Sequence, residues 1–287
     1  MAKGNDAAML MDVTKCIACK ACIVACKQWN ELPAVETKQT GGYENPTSLA
    51  PHVWTMIKFK EVISNGKVKW DFRPHRCFHC TDAACAKVCP SGALFHHELG
   101  FVAYDRGKCT GCGYCAQFCP FSVPKMGGNP FTGAQVMDKC TFCQDRVASG
   151  NPDGKRPDLA TPACAKTCPT GAIKFFPEYS AALAEGQNRV EALKANSSKA
   201  YLYGQNELSG LHMVYVLDDS PELYDLPKDP KVPASAYVWQ DYIQWFGYGI
   251  GGAALLGLAA NYVVARSKIK KEAESEDLLS GARDTRD

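Results

Sequence analysis

The sequence predicts an α+β chain made of two pseudo-symmetric halves and closed by a single membrane-spanning helix. Three observations predict it. Sixteen cysteines fall into four quartets of one repeating grammar. Short alternating segments between the quartets have the pattern of β-hairpins. Residues 242–265 carry no charge, and 24 helical residues span about 36 Å, enough for a bilayer core. With 287 residues, 46% hydrophobic and 22% charged, the chain has ordinary globular composition apart from its cysteines. A net charge of +2 offers no basic excess, so no nucleic-acid partner is expected. The first fourteen residues hold neither an apolar h-region nor twin arginines, so this chain is expected to carry no export signal of its own.

The hairpins come first in the chain-wise reading. Residues 54–62 alternate as a strand, Ser64-Asn65-Gly66-Lys67 supplies a tight turn, and residues 68–72 return. Leu94-Phe95 and residues 101–104, bent at Gly100, predict a second hairpin. Ser180 is the expected N-cap of a helix running through Leu183, Val190 and Leu193. A strand over residues 212–217 precedes a Pro- and Asp-rich linker, and the charged tail from Lys271 is expected to be disordered.

The quartets form an internal repeat. Cys16-x2-Cys19-x2-Cys22-x3-Cys26 and Cys109-x2-Cys112-x2-Cys115-x3-Cys119 share their spacing. The other two open the loop, as Cys77-x2-Cys80-x4-Cys85-x3-Cys89 and Cys140-x2-Cys143-x20-Cys164-x3-Cys168. Ala84-Cys-Ala-Lys-Val-Cys-Pro-Ser-Gly-Ala93 and Ala163-Cys-Ala-Lys-Thr-Cys-Pro-Thr-Gly-Ala172 match almost residue for residue, so a two-motif unit has the pattern of a duplication. A cubane needs four thiolates: C-x2-C-x2-C wraps three corners of one [4Fe–4S] cluster, and the cysteine three residues on reaches another. Pro90, Pro120 and Pro169 end three of the ligand loops, whereas Cys26 is followed by Lys27. Zinc knuckles have no use for the third and fourth cysteines at these offsets, and disulfides between residues three apart are strained. Four [4Fe–4S] clusters are therefore expected, in 2[4Fe–4S] ferredoxin-like units.

Spacing leaves the pairing of motifs open. The 19 residues between Cys89 and Cys109 suit one two-cluster unit made of the second and third motifs, with the first and fourth pairing around it. The 20 residues between Cys119 and Cys140 leave a sequential arrangement standing. Each quartet is also directly preceded by a cation, Lys15, Arg76, Lys108 or Lys139. Positive charge beside an anionic cluster raises its potential, so these four are candidate tuning residues, and Lys108→Gln is expected to lower one midpoint. The competing reading is that they are solvated surface cations.

Other motifs carry less. Gly247-Tyr-Gly249-Ile-Gly-Gly252 matches G-x-G-x-x-G but follows no strand and has no acidic residue some 20 positions on, which excludes a dinucleotide site. Gly249, Ala253 and Gly257, followed by Asn261, instead fit a small-xxx-small helix interface. His79 lies within a quartet already complete in cysteine, and His96-His97 is expected at an exposed turn. No histidine follows His212, so the helix supplies no haem ligand. Trp239 and Trp245 suit an interfacial belt. Nothing in the chain has the pattern of a catalytic site. Arg266, Lys268, Lys270 and Lys271 follow the helix, while acidic residues dominate before it, which predicts a cytoplasmic C-terminus and a periplasmic cluster domain in a bacterial inner membrane.

Asp12-Val-Thr-Lys-Cys-Ile-Ala-Cys-Lys-Ala-Cys-Ile-Val-Ala-Cys-Lys-Gln-Trp-Asn30 resembles the first motif of the iron–sulfur β subunits of membrane-bound formate dehydrogenases of the nitrate-inducible type. Cys109-Thr-Gly-Cys-Gly-Tyr-Cys-Ala-Gln-Phe-Cys-Pro-Phe121, Lys139-Cys-Thr-Phe-Cys-Gln-Asp-Arg146, Thr167-Cys-Pro-Thr-Gly-Ala172, His212-Met-Val-Tyr-Val-Leu217 and the C-terminal helix fit the same family. The resemblance implies nested ligand sets: Cys16, Cys19, Cys22 and Cys168; Cys140, Cys143, Cys164 and Cys26; Cys77, Cys80, Cys85 and Cys119; and Cys109, Cys112, Cys115 and Cys89. It implies a four-cluster domain over residues 1–235, with one unit from 10–75 and 136–178 and the other from 76–135. An anchor over 236–268, lying in membrane lipid, and a charged cytoplasmic tail over 269–287 follow. It also implies two partners, a molybdopterin (Mo or W) catalytic α subunit that oxidises formate and carries the twin-arginine signal, and a haem b membrane γ subunit that reduces quinone. This chain is then an electron-transfer subunit and not itself the enzyme. One departure is the long gap between Cys143 and Cys164, where residues 150–158 are expected to bulge outward.

Three function classes compete: the subunit just named, the equivalent subunit of a membrane hydrogenase or a sulfur- or nitrogen-compound reductase, and a zinc- or disulfide-stapled binding module. Brown colour bleached by dithionite separates the last from the others.

Overall fold

A computed structural model describes residues 4, 6–64, 66–128, 135–149, 160–195 and 197–281. Backbone contacts divide the chain into Met1–Ala236 and Tyr237–Asp287.

In the first unit, β1 (Ala8–Asp12) leads through a 3₁₀ turn, Val13–Lys15, to α1 (Ala21–Trp29). The first hairpin forms from β2 (Met56–Ser64) and β3 (Lys67–His75), in register from Met56 opposite His75 to Ser64 opposite Lys67. Its expected turn includes Asn65, outside the described residues. Then come α2 (Ala84–Lys87), β4 (Leu94–His96), β5 (Val102–Tyr104), a second 3₁₀ turn at Arg106–Lys108, and α3 (Tyr114–Phe118). β4 and β5 make the second expected hairpin. A third hairpin pairs β6 (Lys125–Gly128) with β7 (Gln135–Asp138). The order continues with α4 (Gln144–Ser149), α5 (Ala163–Lys166), β8 (Ile173–Phe176), α6 (Tyr179–Lys194), β9 (Tyr201–Tyr203) and β10 (Met213–Leu217). The segment 150–158, expected to bulge, lies outside the described residues.

One four-stranded sheet, ordered β8-β1-β10-β9, organises this unit, with β1 parallel to β10 and antiparallel to β8. Alternation sends Ala8, Leu10, Val214 and Val216 to one face, under α6, and Met9, Met11, Met213 and Tyr215 to the other, in the main core. α6 starts one residue before Ser180, and Leu183, Val190 and Leu193 face the sheet as expected. Gly186 permits the approach, because a Cβ there would stand 2.6 Å from Leu202 Cδ1.

The duplication is visible in the backbone. Asp12 caps the first 3₁₀ turn by accepting from Thr14 N, and Asp105 caps the second by accepting from Gly107 N. The amide of Asp12 donates to Ala172 O at 2.8 Å, and that of Asp105 to Ala93 O at 2.8 Å. Thus β1, before the first motif, pairs with β8, after the fourth, while β5, before the third, pairs with β4, after the second.

In the second unit, α7 (Ala234–Val238) starts the helical segment, which passes through a π-helical turn at Trp239–Ile243 into α8 (Gln244–Gly281). The helix over Ala234–Lys271 is long and apolar enough to cross a membrane. Leu255, Leu256 and Val263 are exposed along it. The helix continues past Lys271, where disorder was expected: Glu272, Ala273, Glu274, Leu278 and Leu279 are good helix formers, and their propensity carries it to Gly281.

Candidate functional site

The cysteines arrive at common points from separate elements. Cys16 ends the first 3₁₀ turn, and Cys22 and Cys26 lie on α1. Cys164 lies on α5, and Cys168 follows it at the start of the Cys-Pro-Thr-Gly turn. Cys16, Cys19, Cys22 and Cys168 together line one cavity. Cys26, Cys140, Cys143 and Cys164 line a second. Cys89, Cys109, Cys112 and Cys115 line a third. The remaining four, Cys77, Cys80, Cys85 and Cys119, gather about two of their number: Cys80 feels Cys77, Cys119 and Cys85, and Cys85 feels Cys119 and Cys77. Each group combines cysteines from two motifs.

The four groups form a line. Cys22 in the first feels Cys164 in the second. Cys140 in the second feels Cys77 in the group of Cys77, Cys80, Cys85 and Cys119, and Cys85 there feels Cys115 in the group of Cys89 and Cys109. The ends of this line meet solvent, since Cys19 and Cys112 are exposed, whereas Cys26, Cys77, Cys85, Cys140, Cys143 and Cys164 are buried.

The donor chemistry fits iron–sulfur clusters. All sixteen cysteines are free thiols. Among the described residues no three His, Cys, Asp or Glu side chains converge as tightly as a lone metal ion requires, so the thiols surround a volume and not a point. Burial pushes the thiols of Cys16, Cys119 and Cys140 up to about 11, and those of Cys115 and Cys143 up to about 12. Neighbouring thiols push the same way on Cys16, Cys115, Cys140 and Cys143. Such groups ionise only in exchange for a bound cation, which iron supplies. Buried polar groups normally have partners. Here Arg76 Nε and Nη2, Thr55 Oγ1 and Tyr104 Oη have none at hydrogen-bond geometry, and two of these side chains interact with thiols, Arg76 with Cys22 and Tyr104 with Cys109; Arg76 and Thr55 line the cavity of Cys164, and Tyr104 lines that of Cys109. The sulfurs of a resident cluster are acceptors for all of them.

Two models of the 4Fe-4S dicluster domain match the chain, over residues 15–93 and 68–177. The formate dehydrogenase iron-sulfur subunit of Haemophilus influenzae is 38% identical over 275 residues, covering 94% of this chain and 84% of the relative. The nitrate-inducible formate dehydrogenase iron-sulfur subunit of Escherichia coli is 38% identical over 277 residues, 95% of this chain and 90% of the relative. The chain belongs to the formate dehydrogenase iron–sulfur subunit family. It carries four [4Fe–4S] clusters and relays electrons. A shorter match joins it to the thiosulfate reductase electron transfer subunit of Salmonella typhi, 40% identical over 172 residues and 60% of this chain. As a family member it works within a complex with catalytic and other subunits, and its C-terminal helix is consistent with membrane anchoring.

Bound there, the clusters would supply one-electron transfer without bonds being made to substrate. The protein's task is to hold and shield them. Aromatic pairs pack in the same core as Cys22, Cys77, Cys140 and Cys164: Phe78 stacks on Phe121 at 4.0 Å, and Phe101 on Phe142 at 4.8 Å. Beside Cys26, Asn30 donates from Nδ2 to Cys26 O at 2.8 Å and approaches its sulfur at 3.7 Å. Trp29 Nε1 donates to Asp145 at 2.7 Å, tying α1 to α4, and Arg146 lies 4.1 Å over the Trp29 ring.

The four cations preceding the quartets separate into two classes. Lys15 and Lys108 have side chains 38% and 61% exposed and pair with Asp12 and Asp105. Arg76 and Lys139 are buried at 1% exposure. His79 is wholly buried, with Nδ1 3.1 Å from Val102 O, and burial holds its imidazole well below its ordinary range. His96 is exposed as expected, while His97 is half-buried and stacks on Phe101 at 4.7 Å. Thr55 had no signal in the sequence, since no cysteine lies near it in the chain, and Tyr104, though it precedes Cys109 closely, sits on a strand outside the ligand loop. Asn30 had one, standing four residues after Cys26 on the helix that carries it.

Proposed function

We propose that the chain holds its clusters with the nested ligand sets, Cys16/Cys19/Cys22/Cys168, Cys26/Cys140/Cys143/Cys164, Cys77/Cys80/Cys85/Cys119 and Cys89/Cys109/Cys112/Cys115, in that order along one wire. Electrons from formate, oxidised at the molybdenum or tungsten pterin of a catalytic partner, pass along this wire to a haem b partner in the membrane that reduces quinone. The observation that carries the reading is the convergence of four cysteines from paired motifs on each of three cavities. The exposed end cysteines, Cys19 and Cys112, give the wire two terminals, one for each partner. Residues 10–75 with 136–178 then form one unit and residues 76–135 the other, consistent with β1 pairing with β8 and β5 with β4.

Two relatives that span nearly all of this chain are formate dehydrogenase subunits, which supports formate as the donor. The 60% match to a thiosulfate reductase subunit favours a second reading, in which the wire runs from the membrane to a sulfur-compound reductase. Purifying the complex from membranes and identifying its partners by mass spectrometry decides between them, because formate dehydrogenase and thiosulfate reductase catalytic subunits differ in sequence. Full iron content, at four irons per cluster, and four reducible signals in electron paramagnetic resonance are expected in either case. For topology, the basic residues after the helix support a cytoplasmic C-terminus and periplasmic clusters. Protease added to spheroplasts should digest the cluster domain; a resistant domain overturns that orientation.

A further inference from the structure

Arg76 belongs to the second motif by sequence, directly before Cys77. Its side chain serves the other unit. It lines the cavity of Cys26, Cys140, Cys143 and Cys164, and the thiols acting most strongly on it are Cys164 and Cys22, followed by Cys140. The end of β3 is fixed where this requires it: Tyr215 Oη on β10 donates to Pro74 O at 2.8 Å, and Arg73 Nε donates to Tyr224 O at 2.8 Å.

Its counterpart in the repeat, Lys139, uses its donors differently. Lys139 Nζ donates to Val102 O at 2.9 Å and to Cys140 O at 3.0 Å, so backbone carbonyls take two of its three protons. Arg76 Nε and Nη2 have no acceptor at hydrogen-bond geometry although the residue is 1% exposed, and the thiol it interacts with is that of Cys22. Buried guanidinium N–H groups without an acceptor are costly, and cluster sulfurs in the cavity that Arg76 lines are acceptors of the right charge. The cavity of Cys16 is lined by Ile17, Ile57, Pro74 and Ile173 together with Lys20 and Thr170, and Arg76 is not among its lining residues.

We propose that Arg76 donates its Nε–H and Nη2–H to the cluster held by Cys26, Cys140, Cys143 and Cys164 and thereby raises that cluster's reduction potential. This rests on the nested ligand assignment. A positive charge and two N–H donors favour the reduced, more negative cluster, so their removal lowers the midpoint.

The test is a redox titration of the purified complex followed by electron paramagnetic resonance. Arg76→Gln should lower one midpoint by about tenfold in the reduction equilibrium, about 59 mV for a one-electron couple. The clusters of the Cys77 and Cys109 sets, and every cluster in Lys108→Gln, should be unmoved. Iron content and the number of signals in the unmutated complex check the ligand reading separately. Four unmoved midpoints in Arg76→Gln at full iron content overturn the proposal and leave the reading intact. Should Arg76→Gln lose iron, the unmutated complex decides: with guanidino-¹⁵N arginine incorporated, one reduced cluster should show a ¹⁵N coupling that vanishes in Arg76→Lys. Absence of that coupling, or its persistence in Arg76→Lys, overturns the proposal.

Discussion

The loop through Cys16, Cys19 and Cys22 and the loop through Cys109, Cys112 and Cys115 follow the same path with different residues. Both visit the left-handed region twice, at Ala18 (φ 53°) and Lys20 (φ 62°) in the first and at Gly111 (φ 74°) and Gly113 (φ 79°) in the second. The turn itself therefore tolerates a side chain. What differs is the neighbourhood, because a Cβ on Gly111 would meet Gln135 O of β7 at 2.2 Å, while one on Gly113 would meet nothing within 4 Å. Ligand spacing fixes the dihedrals in both halves, and the packing around each loop decides which positions must be glycine. The surroundings diverge further out. Asp12 of the first half receives Arg189 Nε at 2.8 Å and has a nearly buried side chain, whereas Asp105 of the second, 42% exposed, accepts from Gly107 N in its cap and pairs with Lys108 at 3.4 Å.

Substitutions at matched positions can break this comparison. The largest effect is expected from Cys164→Ala and Cys85→Ala, which occupy the same place in the two Ala-Cys-Ala-Lys helices. Each should remove one cluster, about a quarter of the iron, and interrupt transfer along the chain. Iron analysis and paramagnetic resonance check this, and loss of the same signal in both variants would contradict the two-unit assignment. Next, Gly111→Ala should destabilise by about 2–4 kcal/mol, combining the left-handed cost with a backbone clash, against about 1 kcal/mol for Gly113→Ala. Heating the purified complex and following loss of the cluster absorbance would rank the pair. Asp12→Ala should then cost about 2 kcal/mol through its cap and its charged partner, and Asp105→Ala about 0.5–1 kcal/mol, in the same assay. Smallest is Ala18→Gly, where relief of the left-handed strain exceeds the added chain entropy by at most about 1 kcal/mol. A lowered melting temperature for that variant would mean that Ala18 packs productively.

Local signals made much of this molecule legible from the sequence. The quartets, the first two hairpins, α6 and the apolar helix each announce themselves within a short window of residues. The central sheet does not. β1 is buried along its whole length, so Ala8-Met-Leu-Met-Asp12 shows no alternation, and its parallel partner β10 lies some 200 residues away. The cations illustrate a second limit. Lys15, Arg76, Lys108 and Lys139 share one sequence position relative to their cysteines, yet burial separates them into two exposed ion pairs and two interior charges. Burial of a long side chain depends on what folds over it, and for Arg76 that includes strand β10, far along the chain.

The wall of each cavity also sets a timetable for synthesis. Cys16 and Cys168 line one cavity yet stand 152 residues apart, whereas Cys89 and Cys115 of another are separated by 26. At roughly 10 residues per second on the ribosome, the second cavity gains its last thiol within about 3 s of its first, while the first waits about 15 s. Through that interval the thiols of Cys16, Cys19 and Cys22 exist without their fourth wall. A nascent chain stopped between residues 115 and 168 holds every thiol of the cavity of Cys89 and Cys109 but lacks one of that of Cys16. The first motif to be made is the last to be able to receive its iron.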